Sequence, residues 1–300
     1  MKILVTGHEG QLAQSLRERS SNAMQVVTLG RPQLDIADIA SVEKAIADCR
    51  PDVVVNAAAY TAVDRAESEA SAAFAVNAVG AENVARAAAK AGLPIIHVST
   101  DYVFDGTAAT PYRESDATAP QSVYGHSKLE GEKKVAAANP AHVIFRTAWV
   151  YSVHGHNFLK TMLRLAADRP QIRVVADQLG TPTYAPDIAA GIQAAIERIA
   201  ADPSASSWRG VFHLVAAGEA SWAGFAREIF NESVEVGGPG AEVVEIGTAD
   251  YPTPARRPAN SRLCTQRFEE TFGLKLPAWQ DGVRRCVRRL YAADQVVDAF

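Results

Sequence analysis

The apolar positions of this chain fall into two alternating periods through its first half. Lys2–Thr6, Gln25–Leu29, Val53–Asn56, Pro94–Val98 and His142–Arg146 are short aliphatic or β-branched runs bounded by turn residues, and they read as strands. Val53, Val54 and Val55 are all apolar, as a parallel strand buried on both faces requires. Between the strands lie stretches with helical spacing: residues 11–19, a capped amphipathic Ser41–Cys49, an alanine-rich Ala70–Ala91 closed by Gly92 and Pro94, and a helix from Tyr124 to about Ala138. Regular alternation through about residue 150 predicts an α/β fold with a doubly wound parallel sheet of the Rossmann type.

Beyond residue 150 the pattern is more broken and more aromatic. Helices are expected at Asn157–Ala167, Ala185–Ala200, Ser221–Asn231 and Pro277–Tyr291, and strands at Ile172–Val175 and Val211–Val215. Residues 177–183 and 202–207 read as loops. The expected division is a dinucleotide-binding domain of residues 1–150 plus about 185–217. A smaller α/β substrate-binding lobe takes about 151–184 and 218–300, interleaved with it.

Composition narrows the class. The chain has 300 residues, 48% hydrophobic and 21% charged, with a net charge of −4. That is an ordinary globular balance, with no basic stripe for nucleic acid. Cys49, Cys264 and Cys286 are odd in number and far apart, which fits neither a disulfide framework nor a zinc site and suits a reducing cytoplasm. Met1 leads straight into a strand rather than a leader peptide, and no apolar run is long enough for a membrane. His154 and His156 lack a third ligand nearby and read as loop histidines, so no metal site is expected.

The first strand runs into Gly7-His8-Glu9-Gly10-Gln11-Leu12-Ala13. Gly7 permits a tight turn, Gly10 lets the backbone approach a pyrophosphate, and Ala13 lets the helix pack closely on the strand. The helix N-terminus, with Gln11 and Leu12, then faces phosphates with free N–H groups. After the second strand, the acid that often holds the ribose of NAD is missing. Arg31 stands in that region and suits a 2′-phosphate. Asp35 and Ile36 follow, placed for the adenine. Ala59, Tyr60 and Thr61, leaving the third strand, and Val98, ending the fourth, complete the cofactor candidates.

Tyr124 and Lys128 are four apart, on one face of a helix. A lysine ammonium there favours the phenolate and is expected to lower the tyrosine's pKa, making it a usable proton donor to a carbonyl that receives hydride. Ser99, Thr100 and Asp101 follow a strand at the sheet's carboxyl end, where open α/β sheets bind ligands, and a hydroxyl there suits a substrate carbonyl. Tyr251 to Pro258 carries three prolines in seven residues, with Arg256 and Arg257, a stiff segment suited to clamping a diphosphate.

Together, Gly7/Gly10/Ala13, Ser99-Thr100 and Tyr124-x-x-x-Lys128 resemble the extended short-chain dehydrogenases. Longer strings narrow the resemblance to the dTDP-4-dehydrorhamnose reductases: Asn56 to Glu67, Ser99 to Gly106, Phe145 to Tyr151 and Arg257 to Leu263. It covers nearly the whole chain. It implies reduction of dTDP-4-dehydro-β-L-rhamnose to dTDP-L-rhamnose with NADPH or NADH, the last step toward that donor for surface polysaccharide. It assigns Tyr124 as proton donor and Lys128 as the residue that holds the nicotinamide ribose and tunes Tyr124. Thr100 and Asp101 would touch the sugar, and Trp149 would line its site. Some members form magnesium-linked dimers through a glutamate in the first helix. Ser15 fills that place here, which argues against a Mg²⁺-bridged dimer and leaves a homodimer open.

Two rivals remain at this point. A nucleotide-sugar dehydratase or epimerase shares the fold, but a dehydratase needs a second acid after Thr100-Asp101, where Tyr102 stands. A regulatory subunit like that of methionine adenosyltransferase would bind a partner enzyme instead. The intact Tyr124/Lys128 pair favours chemistry.

Overall fold

The computed structural model describes residues 1–297, with side-chain surroundings through residue 292. The end of the expected lobe, residues 298–300, lies outside the described residues. The elements of the first half are β1 (Lys2–Thr6), α1 (Gln11–Arg17), β2 (Gln25–Leu29), α2 (Ile39–Cys49), β3 (Val53–Asn56), α3 (Val63–Ala66), α4 (Ala70–Phe74), a π-helical turn (Ala75–Gly80), α5 (Ala81–Lys90), β4 (Ile95–Thr100), α6 (Val123–Ala138) and β5 (His142–Thr147). The second half holds β6 (Val150–Tyr151), α7 (Phe158–Ala166), β7 (Gln171–Val175), β8 (Leu179–Gly180), β9 (Thr183–Tyr184), α8 (Ala185–Ala201), β10 (Gly210–His213), β11 (Ala220–Ser221), α9 (Trp222–Glu235), β12 (Glu242–Ile246), α10 (Gln266–Phe272) and α11 (Trp279–Val297).

Six strands form one parallel sheet in the order β10-β5-β4-β3-β1-β2. Its direction of growth reverses between β1 and β3, which opens a crevice at their carboxyl ends. The doubly wound expectation holds, with the β2 edge one strand shorter than the 3-2-1-4-5-6 order. Alternate side chains feed opposite faces. Ile3, Val5, Val53 and Val55 join the cluster under α1, α8 and α10, while Leu4 and Val54 join the one under α2, α5 and α6. Burial on both faces is why these strands read as unbroken apolar runs. A third cluster, with Leu159, Phe225, Ile229 and Val283, is built from α7, α9 and α11 against the parallel β7–β12 pair.

Several boundaries differ from expectation. The Ala70–Ala91 segment is not one α-helix, because Ala75–Gly80 widens into a π turn where α6 crosses it. A Cβ at Gly131 of α6 would collide with the Asn77 carbonyl, so the two backbones touch there. Helix α2 is capped by Asp38, which accepts from Ala40 N–H at 3.0 Å, whereas Ser41 accepts from Asp35 N–H. The 177–183 loop contains the two-residue strand β8 and runs into β9 at Thr183. Strand β12 and helix α10 escaped the periodicity: β12 has no fully buried residue, and α10 spans seven residues.

Candidate active site

The crevice between β1 and β3 is lined by backbone. Gly7 sits at φ +86°, and a Cβ there would meet the Ala58 backbone at 3.5 Å. Thr6 ties the two strand ends together, donating to Asn56 Oδ1 at 2.6 Å and accepting from Ala58 N–H at 3.3 Å. Gly10 begins α1 with no side-chain cap, and nothing lies within 4 Å of where its Cβ would stand. Uncapped helix amides beside an open glycine cradle suit a pyrophosphate, so the residues present fit a dinucleotide.

Side chains of the other cofactor candidates are largely spoken for. Gln11 Oε1 accepts from Ser152 Oγ and Asn157 Nδ2, both at 2.9 Å, so the side chain binds the second half of the chain while the amide stays at the start of α1. Leu12 and Ile36 turn into the core. The Ile36 carbonyl accepts from Asn83 Nδ2, and Asp35 Oδ1 accepts from Ala37 N–H. Local contacts thus hold one oxygen of Asp35 and the carbonyl of Ile36. Arg31 is exposed after β2. Ala59 is half-buried and Thr61 exposed. Tyr60 sends its hydroxyl away to Glu69 at 2.6 Å, so its backbone is what borders the crevice. Val98 offers its carbonyl to Lys128 at 2.6 Å.

Helix α6 starts at Ser122, whose hydroxyl accepts from Gly125 N–H. A Cβ at Gly125 would collide with the Tyr102 carbonyl, so the helix lies directly on the turn that follows β4. That contact brings Tyr124 against the Asp101–Val103 turn. Its ring meets Tyr102 edge-on at 5.5 Å, and the Thr100 hydroxyl, which donates to Asp101 Oδ1 at 2.9 Å, stands near enough to its phenol to act on it. Lys128 is buried, and desolvation draws its ammonium down to about 8 against the opposing field of Glu132. The expected lowering of the Tyr124 pKa is corrected here. Desolvation and then the Asp101 carboxylate push the phenol well up, outweighing the downward pull of the neighbouring Thr100 hydroxyl. Asp101 itself is buried and raised to about 6 by desolvation, opposed by the hydroxyls of Ser261 and Thr100. Its Oδ2 is a buried acceptor without a hydrogen-bond partner among the described residues.

Beside this cluster, Trp149 holds φ +47°, a strained backbone for a bulky residue. It stacks on Trp222 at 3.6 Å, and a Cβ at Gly180 would strike its indole. Arg257 donates to Asp64 Oδ2 at 2.8 Å; burial and then the Asp101 carboxylate push the nearby Tyr102 phenol up to about 12, with Arg257 opposing them. It also lines a cavity of about 560 Å³ bounded by Asp105, Asp177, Thr248, Tyr251 and Arg256.

The family follows from whole-chain likeness together with this geometry. The sequence profile described as the RmlD substrate binding domain matches residues 1–292. The chain is 52% identical over 287 residues to the dTDP-4-dehydrorhamnose reductase of Sinorhizobium fredii, covering 96% of this chain and 97% of the relative. A solved dTDP-4-dehydrorhamnose reductase from Clostridium acetobutylicum superposes with a TM-score of 0.89 at 38% identity, over 97% of this chain and 99% of that one. The Bacillus anthracis enzyme, solved in complex with NADP, gives 0.89 at 34% identity, over 96% and 99%. The chain belongs to the dTDP-4-dehydrorhamnose reductase family.

Within this reductase fold, four residues escaped the sequence reading. Asn77, buried in the π turn, grips the Tyr60 backbone on both sides and donates to Ser127 Oγ at 2.9 Å. Its signal was a lone asparagine on the apolar side of an alanine-rich helix. Trp222 gave none beyond being aromatic. Glu132 and Arg146 form a buried ion pair at 2.7 Å, and a glutamate one turn after Lys128 was the visible clue. Ser15 is buried and donates to the Gln11 carbonyl, so the first helix presents no carboxylate at that place. His154 Nε2 donates to the Glu18 carboxylate at 2.8 Å, and no described helix is long and apolar enough to cross a membrane.

Proposed function

We propose that the protein reduces the 4-keto group of dTDP-4-dehydro-β-L-rhamnose to give dTDP-L-rhamnose, with NADPH as preferred donor and NADH as the alternative. The observation that carries this reading is the placement of Tyr124 and Lys128, on one face of α6, against Thr100 at the end of β4 in a chain of the reductase family. In this reading residues 1–150 and about 185–217 hold the cofactor, with Gly7 and Gly10 at the pyrophosphate and Arg31 at a 2′-phosphate. The NADP found with the Bacillus anthracis relative supports that choice. The remaining segments hold the sugar nucleotide.

A bound nicotinamide would supply the hydride. Tyr124 gives its proton to the C4 oxygen as negative charge builds there, and a donor aimed at that charge lowers the barrier. Its raised pKa keeps the phenol protonated at neutral pH, ready to donate. Lys128 offsets the charge of the phenolate left behind and holds the ribose side. Thr100 adds a second hydrogen bond at the reacting oxygen. The unpartnered Oδ2 of Asp101 takes a sugar hydroxyl, Trp149 walls the ring, and Arg257 holds the diphosphate from its cavity wall.

The deciding assay is NADPH oxidation by purified protein given the keto sugar. Turnover with formation of dTDP-L-rhamnose is expected. Tight NADPH binding with no reduction would overturn the reading and favour a binding subunit.

A further inference from the structure

Glu132 lies one turn beyond Lys128 on α6, and its carboxylate is buried. It accepts from Ser99 Oγ on β4 at 2.5 Å and from Arg146 on β5 through Nε at 3.0 Å and Nη2 at 2.7 Å. Ser99 and Arg146 are register partners on adjacent strands. Val98, just before Ser99, supplies the carbonyl that holds Lys128, and Thr100, just after it, meets Tyr124. One carboxylate thus grips β4 midway between the anchors of both reacting side chains. Buried ion pairs add little stability over a well-packed apolar pair, and where they are retained, fixing one arrangement is their better-attested use.

We propose that Glu132 is a positioning residue for the Tyr124–Lys128 pair, locking α6 in register on the carboxyl end of β4 and setting a fixed counter-charge behind the Lys128 ammonium. The proposal rests on the reductase reading of that pair. Other ionisable groups around Lys128 are few and accounted for. On β4, His97 is held neutral by burial and by Lys128 itself. After β4 stand Asp101 and Tyr102, and Tyr124 lies one turn back on α6. On the elements packed outside α6, Arg65 pairs with Glu69, Asp64 with Arg257 and Glu82 with Lys134, while Glu67 accepts from Val123 N–H. Glu132 is the carboxylate that acts on Lys128.

The test uses the full chain in single-turnover reduction of the keto sugar and in kcat profiles from mildly acidic to alkaline pH. Glu132→Gln alone leaves Arg146 buried and unpaired, so it is combined with Arg146→Met. The double variant is expected to lose about tenfold or more in single-turnover rate, as small misplacements do. Its alkaline limb should move down by about one pH unit, because an ammonium without its carboxylate loses its proton more easily. In a Lys128→Met background the same change should leave the limb in place. Ser99→Ala cuts the tie but keeps both charges, and should lower the rate without moving the limb. A merely structural pair predicts a lower Tm with wild-type rate and limb in both variants, and that outcome overturns the proposal. If the double variant fails to fold, Ser99→Ala decides, and a wild-type rate there refutes the tie. Two controls keep the questions apart: wild type that binds NADPH but does not reduce the sugar sinks the reductase reading, and Tyr124→Phe at the wild-type rate removes Tyr124 as the proton donor that Glu132 would position.

Discussion

In the proposed mechanism, Tyr124 is the residue on which most of the chemistry turns. Tyr124→Phe removes one oxygen and little volume, so the fold and cofactor affinity should survive. Its single-turnover rate should fall by about 10²–10⁴-fold, the usual contribution of a general acid. A loss under about threefold would contradict that role. Asp101 gives a pH-dependent prediction. Its pKa rises from the ordinary 3.8 to about 6 in the fold, so the folded state binds its proton more tightly than the unfolded state does. The favourable contribution is complete below the unfolded value and is lost as pH rises through about 6. At about 1.4 kcal/mol per pH unit that is about 3 kcal/mol at most. Asp101→Asn should therefore be more stable relative to wild type at pH 7.5 than at pH 4, read by thermal melts at both. Equal differences at the two pH values would show that the carboxylate is not strained by burial.

At the scale of elements, two glycines make opposite predictions. Gly131 lets α6 lie on the π turn at Asn77, and a methyl group there meets backbone that cannot swing aside. Gly131→Ala should cost about 1–3 kcal/mol, the usual penalty of overpacking, and lower Tm by several degrees. It should also loosen the Asn77 grip on Tyr60, seen as faster amide exchange at Tyr60. Gly10 has open space where its Cβ would be and a φ of −65° that any residue adopts. Gly10→Ala should leave Tm unchanged but weaken NADPH binding, measured by fluorescence titration. Unchanged NADPH affinity would remove Gly10 from the pyrophosphate cradle.

At the scale of the molecule, the two halves of the chain are tied together around α1. Gln11 holds Ser152 and Asn157, Glu18 bonds both Arg289 and His154, and Arg285 on α11 pairs with the buried Asp187 on α8. A cofactor docked against α1 therefore bears on both halves. NADPH at a hundredfold above its Kd should add about 2.7 kcal/mol and raise Tm in one cooperative transition. A Tm independent of NADPH concentration would show that the cradle does not bind it in the folded state.

The doubly wound sheet was legible in the order of residues, since strands buried on both faces must be apolar throughout and helices packed on one side must be periodic. That order also marked Gly7, Gly10, Thr100, Tyr124 and Lys128 as candidates, because the roles proposed for them depend on spacing within one turn or one strand end. Tertiary structure alone decided the rest. Whether Tyr124 titrates low or high depends on desolvation and on Asp101, which arrive from β4 and the turn after it rather than from α6. The side chain of Gln11 meets Ser152, far along the chain, and the π turn at Asn77 lies where α6 crosses it. The Glu132–Arg146–Ser99 cluster joins one helix to two strands. Such pairings are set by packing distance, and packing distance leaves no period in the sequence.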